Sequence, residues 1–493
     1  MLDAACLGLL LVAPTLAALA VLLLPSVRTV LGLLVGVAVG LFPVGLFLTV
    51  RVRQSGPVGV ANDWLYVDAL SGFHLVVMLL VVALSSVYAW GYFGDELRRG
   101  KLGLDQARRF GSLWLGALSA MTLVLVSNNL GMQWVGIEAT TLLTAFLIAT
   151  HTSAASLEAM WKYLVICSVG VAFAFVGLLL VAAAAEKVAA GAEHAFLWTK
   201  LIAVPGGLDP TLLKAGFLFL LVGYGTKVGL APMHSWLPDA HSQAPAPVSA
   251  IFSGFLLNAA MYCIMRYVRL LEATSTLRGF APRLLVFFGL ASILVAAGFI
   301  VFQRDAKRLL AYHSVEHLGI IALGLGVGGL GVFAALFHTL NHSVCKALAF
   351  FAAGRLGQSY GTHDMEELSQ TLRISPVWGL GLLLSLLALI GVAPFSIFMS
   401  ELFILKAAAD HQAYWSMGLF LFGAAVVFVG ALRHAIGMAW GGATPKVAVQ
   451  PIRALDVGVV AVCVSLLLGL GLWMPEVLAT TLSDAAQVVG GRP

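Results

Sequence analysis

The run GYGTKVGLAPMHSWLPDAH, residues 223–241, ends an apolar segment with a lysine, two prolines and two histidines. A proline inside a helix removes a backbone hydrogen bond and clashes with the preceding turn. A lysine such as Lys227 costs about 2.5–3.5 kcal/mol at the centre of a membrane helix on insertion scales. Freed backbone at membrane depth is tolerated only where protein or a water-lined cavity satisfies it. A second apolar run carries a similar interruption, Gly391-Val-Ala-Pro394. Two Pro-broken spans in corresponding halves of a polytopic chain point to a transporter with internal repeats, the halves running over 108–270 and 282–438.

Composition supports this placement. The chain has 493 residues, 60% hydrophobic and only 10% charged, with mean hydropathy +0.98. Soluble domains carry about 25% charged residues, so the sequence reads as an all-α integral membrane protein. Barrel strands would show short alternating segments, and none recur. Windows bounded by charge, Pro or Gly give about fourteen spans: 4–24, 30–50, 71–92, 110–127, 130–150, 157–184, 211–231, 243–269, 284–303, 308–328, 331–354, 376–407, 413–438 and 455–474. Residues 1–107 form an N-terminal three-helix region with an extracytoplasmic hairpin over 56–70, and 439–493 hold the last span and a tail. Residues 1–24 lack a basic leader and a small-residue cleavage site, so they read as a retained helix and not a signal peptide.

An even number of spans puts both termini on one face. Odd-numbered connections hold Arg28, the cluster from Arg98 to Arg109, Arg304, Lys307, Arg308, Arg355, Arg373, Arg433, Lys446 and Arg453. The other face holds fewer, among them Arg51, Arg53, Lys200, Arg283 and Arg492. The positive-inside rule then places both termini outside the cytoplasm. The net charge of +5 is modest and no basic face clusters, which argues against nucleic-acid binding. Five cysteines lie singly in apolar segments without a CxxC pair, which argues against disulfides, iron–sulfur clusters and structural zinc.

Single ionisable groups recur within the spans: Glu138, Lys162, Lys227, Lys346 and Glu401. Each is a functional candidate, and each has a plainer reading as an ion pair pinning two helices. In FHTLNHSVCKAL (337–348), His338, His342 and Lys346 recur every fourth residue, so they form one helical stripe drifting about 40° per step. Histidines titrate nearest neutral pH and pass protons along such a row. HxxxH also fits a metal, and HSVEH (313–317) matches a zinc-protease spacing. A catalytic zinc needs a third ligand and an open water position, and no acidic residue follows suitably in that span, so neither metal nor cofactor is expected. GLGVGG (324–329) matches GxGxxG but follows no strand, so it reads as a turn or helix packing.

These residues resemble the antiporter-like, proton-translocating membrane subunit family shared by respiratory complex I, group 4 membrane-bound hydrogenases and Mrp-type antiporters. The carrying motifs are GTKVGLAPMHSWLPDAHSQAPAPVSA (225–250), FHTLNHSVCKALAFFAAG (337–354), GVAPFSIFMSELFIL (391–405) and QWVGIEATTLLTAFLI (133–148). HSVEHLGIIALGLG (313–326), YGTHDMEEL (360–368) and SELFIL look most like the F component of hydrogenase-4. The resemblance implies two inverted five-helix repeats within fourteen spans, with helices seven and twelve broken. It implies that Glu138 is the helix-five glutamate, Lys227 the broken-helix lysine, His338, His342 and Lys346 the central relay, and Glu401 the terminal acid. Asn258 stands where related subunits often carry a helix-eight base; water, His241 or His317 would bridge it.

Coulomb's law gives the coupling. A carboxylate about 4 Å from an ammonium contributes about 4 kcal/mol at an effective dielectric of 20, halved at twice the distance. Lys227 would hold its proton while Glu138 is near and release it inward when Glu138 withdraws. His234 and His241 would feed protons from the cytoplasm. The expected function is an H+-translocating subunit of a complex-I-like respiratory or hydrogenase complex in the cell inner membrane. Its partners would be other membrane subunits and a peripheral redox module, since the chain shows no redox-cofactor ligands. Na+/H+ exchange in an Mrp-type complex, and a structural anchor without transport, are the alternatives.

Overall fold

The computed structural model describes residues 2–189, 191, 193–442 and 447–490. Its helices in chain order are α1 (Leu2–Ala20), α2 (Val27–Ser55), α3 (Ala69–Arg98), α4 (Leu104–Val126), α5 (Leu130–Ile148), α6 (Ala154–Ala184), α7 (Trp198–Ala203) and α8 (Pro210–Val228). There follow α9 (Trp236–Gln243), α10 (Ala246–Ile251), α11 (Leu257–Ala273), α12 (Phe280–Ile300), α13 (Ala306–Val327), α14 (Leu330–Tyr360) and α15 (Thr371–Ile374). The last are α16 (Pro376–Leu389), α17 (Ser396–Asp410), α18 (Tyr414–Trp440), α19 (Ala454–Leu472) and α20 (Glu476–Val489). A π-helical turn, Phe252–Leu256, joins α10 to α11 into one span. The protein is an all-α membrane protein: among the described residues, 12 helices are long and apolar enough to cross a membrane. α14 has the length, at 31 residues, but carries the polar stripe. α16 and α17 are the two arms of the second interrupted run.

Helix starts follow capping chemistry. Ser26, Asp68, Asn129, Ser153, Asp209 and Asp305 each accept from an amide in the first turn of the helix that follows, satisfying donors that no intrahelical carbonyl reaches. α8 ends at Gly229, whose φ of +83° is the left-handed cap that glycine adopts without steric cost. Both interruptions carry a cis Ala–Pro peptide, Ala231–Pro232 and Ala393–Pro394.

Burial sorts centre from rim. The α10–α11 span lies wholly inside and α13 is 89% buried, whereas α18 and α19 are 28% buried. Helices at the centre approach closely over small residues. A Cβ on Gly289 would lie 2.7 Å from Gly319 O, and one on Gly223 2.5 Å from Ala174 N, the small-residue packing that lets membrane helices gain dispersion energy.

The hairpin expected at 56–70 is present as β1 (Val58–Val60) and β2 (Leu65–Val67), antiparallel with Val58 opposite Val67. It meets the α4–α5 turn through Asn128 N to Trp64 O (2.9 Å), and Asn128 Nδ2 in turn donates to Thr199 Oγ1 of α7 (2.8 Å). The arginine-rich connections gather on the other face. Arg355 and Arg453 both bond Asp95, and Arg108 reaches Leu24 O. These connections, all odd-numbered in the charge count, therefore share one face. Lys446 and Arg492, used in that count, lie outside the described residues.

Two elements go beyond the sequence reading. The connection over 186–210 contains α7, and the tail folds into amphipathic α20, which packs against α3, α11 and α14.

Candidate functional site

The two breaks face opposite sides of the bundle. Beyond the first, α9 lies against the arginine-rich face: Asp239 bonds Arg308 Nη1 at 2.7 Å, and Lys307 donates to Ser242 O (3.0 Å) and Ala244 O. A cation there satisfies carbonyls that α9 leaves exposed at its end. The second break lies toward the far end of α19, where Pro394 O packs on Gly471. Between the breaks runs a row of buried polar side chains.

Lys227, at the end of α8, is fully buried. Its Nζ donates to Thr141 Oγ1 (2.9 Å) and Tyr163 OH (2.5 Å) and sits 4.7 Å from the Tyr163 ring centroid. Glu138, one turn before Thr141 on α5, accepts from Ser168 Oγ at 3.0 Å, and its Oε2 has no protein partner. Glu138 and Lys227 do not form an ion pair of 4 Å or less, so the structure has the lysine held by hydroxyls and the carboxylate withdrawn.

Lys162 is corrected by the structure. The sequence groups it with the mid-span charges, yet its side chain is 47% exposed and bonds Glu158 (2.7 Å) and Asp239 (3.2 Å). α6 begins at Ala154, so Lys162 is little more than two turns in, close to the headgroup level of the arginine-rich face. There a long side chain reaches polar partners at little cost.

Asn258 donates to Ser343 Oγ of α14 at 3.2 Å, and its Oδ1 has no protein partner. The π-helical turn just before it is the kind of irregularity that re-aims side chains at functional sites. His241 is buried and stacks on Phe350, ring centroids 4.8 Å apart, with both ring nitrogens unpartnered by protein. Lys346 Nζ turns to Leu310 O and lies 4.9 Å from the same Phe350 ring. His234 is half-buried near Tyr312 and Phe299.

The expected stripe on α14 acquires its meaning from α13. His317 Nδ1 lies 2.9 Å from His338 Nε2, and the His317 ring is also 5.3 Å from that of His342. His338 Nδ1 is 2.9 Å from Ser400 Oγ of α17. Glu401 comes next to Ser400, so His317, His338 and Glu401 present ligand atoms within 4.8 Å of one another. Three helices thus deliver one acid and three imidazoles to one place.

Several polar groups here lie outside the set that the sequence singles out. Glu316 bonds His313 Nδ1 at 2.9 Å, both fully buried. HSVEH signals them, but in sequence its spacing reads only as a zinc motif. His313, Glu316 and His317 do lie within 4.8 Å of one another; yet Glu316 is engaged by His313, and the further carboxylate, Glu401, joins His317 and His338 instead. Thr141, Tyr163 and Ser400 look like ordinary core residues in sequence.

Comparison with known proteins fits this geometry. The family described as NADH:quinone oxidoreductase/Mrp antiporter, TM, matches residues 127–427. The chain is 40% identical over 348 residues to the hydrogenase-4 component F homolog of Methylacidiphilum infernorum (isolate V4), covering 70% of this chain and 73% of that one. Among solved structures, a chain of the membrane-bound sulfane sulfur reductase, an archaeal respiratory membrane complex, superposes with TM-score 0.87 at 24% identity, covering 98% of both chains. A chain of the Mrp complex from Dietzia sp. DQ12-45-1b gives TM-score 0.86 at 19% identity, covering 99% of this chain and 98% of that one. At those identities the likeness is one of fold.

Proposed function

Because the chain belongs to the NADH:quinone oxidoreductase/Mrp antiporter membrane family, we propose that it carries H+ across the membrane as an antiporter-like subunit of a complex-I-like respiratory or hydrogenase complex. The observation that carries this reading is a row of largely buried acids and bases bounded by two helix breaks that face opposite sides. α14 and the α16–α17 pair complete fourteen spans, with inverted repeats over 108–270 and 282–438. Both termini lie outside the cytoplasm, and the membrane is the cell inner membrane. Partner membrane subunits and a peripheral redox module supply the driving reaction.

Protons enter at the first break, past His234 and His241, and load Lys227. The ammonium rests on Thr141 and Tyr163, and approach of Glu138 retains the proton. A buried polar atom without a partner costs about 1–3 kcal/mol. Glu138 Oε2, Asn258 Oδ1, and ring nitrogens of His241, His317 and His342 all lack protein partners. Water is the small molecule that satisfies them, and it carries the proton past Asn258 toward Lys346. From there Glu316, His313 and His342 lead to the His317–His338 contact, and Glu401 releases the proton at the second break.

The test is reconstitution of the purified complex with Lys227→Ala or Glu401→Gln. Proton uptake coupled to redox turnover falls in both variants while assembly persists, and uptake is independent of Na+. Undiminished pumping, or uptake that requires Na+, refutes the reading.

A further inference from the structure

We infer that the basic cavity between α2, α3 and α19 binds the phosphate headgroup of an anionic phospholipid. The cavity has a volume of about 570 Å³, and Arg28, Arg98, Arg355 and Arg453 line it. Only two carboxylates answer these four guanidinium groups. Asp95 bonds Arg98, Arg355 and Arg453, and Asp456 bonds Arg355 at 3.2 Å. Arg28 has no ion-pair or hydrogen-bond partner among the described residues. The Arg98 and Arg453 side chains stay 63% and 41% exposed, so each keeps donors free of the five a guanidinium offers. An excess of two positive charges, in planar forks suited to phosphate oxygens, is the chemistry of a phosphate site.

The lower wall says that the phosphate belongs to a lipid. It is made by Leu31, Trp90 and Leu455, and Trp90 and Leu455 are 42% and 39% exposed. These residues stand at the ends of three spans on the arginine-rich face, the level where headgroups and interfacial tryptophans meet. α2 and α19 are only 33% and 28% buried, so acyl chains have apolar helix faces to lie along. The floor is open by sequence: a Cβ on Gly94 would meet nothing within 4 Å. None of these residues belongs to the proposed proton row, so the site stands or falls separately from it.

The experiment uses the intact complex, delipidated in detergent and titrated with phosphatidylglycerol, phosphatidylcholine or inorganic phosphate. Bound lipid is read by native mass spectrometry and protection by thermal unfolding. Phosphatidylglycerol is expected to bind and protect at least about tenfold more tightly than phosphatidylcholine, with inorganic phosphate inactive at equal concentration. Arg28→Gln, which breaks no internal contact, should weaken phosphatidylglycerol about fivefold. Gly94→Leu, which fills open space, should abolish its binding while the lipid-free unfolding midpoint holds. Equal affinity for the two lipids, equal protection by inorganic phosphate, or unchanged binding in both variants overturns the proposal. So does cross-linking of a partner subunit through Gly94→Cys in the native membrane.

Discussion

Replacing His338 by leucine interrupts the proposed row where α13, α14 and α17 meet. The imidazole bridges His317 and Ser400 through two contacts of 2.9 Å, so with the ring itself it spans roughly 8 Å. Water needs about 2.8 Å per hydrogen bond, and at least two molecules would have to replace the ring; leucine fills that space with hydrocarbon. Loss of a positioned proton-transfer group costs about 10²–10⁴ in rate. The structural cost is smaller: His317 keeps one more unpartnered nitrogen, about 1–3 kcal/mol, while Ser400 still donates to Ile397 O at 2.8 Å. The complex should therefore assemble and lose pumping. The assay is proton uptake into inverted vesicles, read with a pH-sensitive dye alongside redox turnover and the amount of assembled complex. Uptake within about twofold of the unsubstituted complex would refute a direct His317–His338–Ser400 route.

Lys162→Ala should leave proton uptake within about twofold, because an exposed ion pair contributes only about 0–1 kcal/mol; a collapse of pumping would return Lys162 to the row. His363, in the connection between α14 and α15, is held neutral: burial, then the charge on Lys307, lower it to about 3. The unfolded chain takes up this proton below about pH 6.5 while the folded chain refuses it, so stability falls as pH drops from there toward 3. The loss at pH 5.5 is about 1.4 kcal/mol. His363→Gln should flatten that acid limb in thermal unfolding, and an unchanged limb would locate the effect elsewhere. Gly223→Val forces a side chain into the contact of α8 with α6, where even a Cβ meets Gly170 O at 2.5 Å. Overpacking costs about 1–3 kcal/mol, so the unfolding midpoint should fall, whereas Gly418→Val on α18, with open space around it, should leave it unmoved.

The sequence by itself determined the membrane class, the position of most spans, the hairpin and the two breaks. Hydropathy, proline and glycine act locally, and in lipid every backbone polar group must be satisfied within its own helix or by close neighbours. It also picked out Lys227, Lys346, His338, His342 and Glu401, because charge in hydrocarbon is conspicuous one residue at a time. Depth was not legible: Lys162 stands in an apolar run, yet the start of α6 puts it within reach of Asp239. Nor were partners. Thr141 and Tyr163 became the cradle of Lys227, and Glu401 met His317 and His338, through packing between helices far apart in the chain. Periodicity fixes which side of a helix a residue occupies; only the crossing of α13, α14 and α17 decides what that side faces.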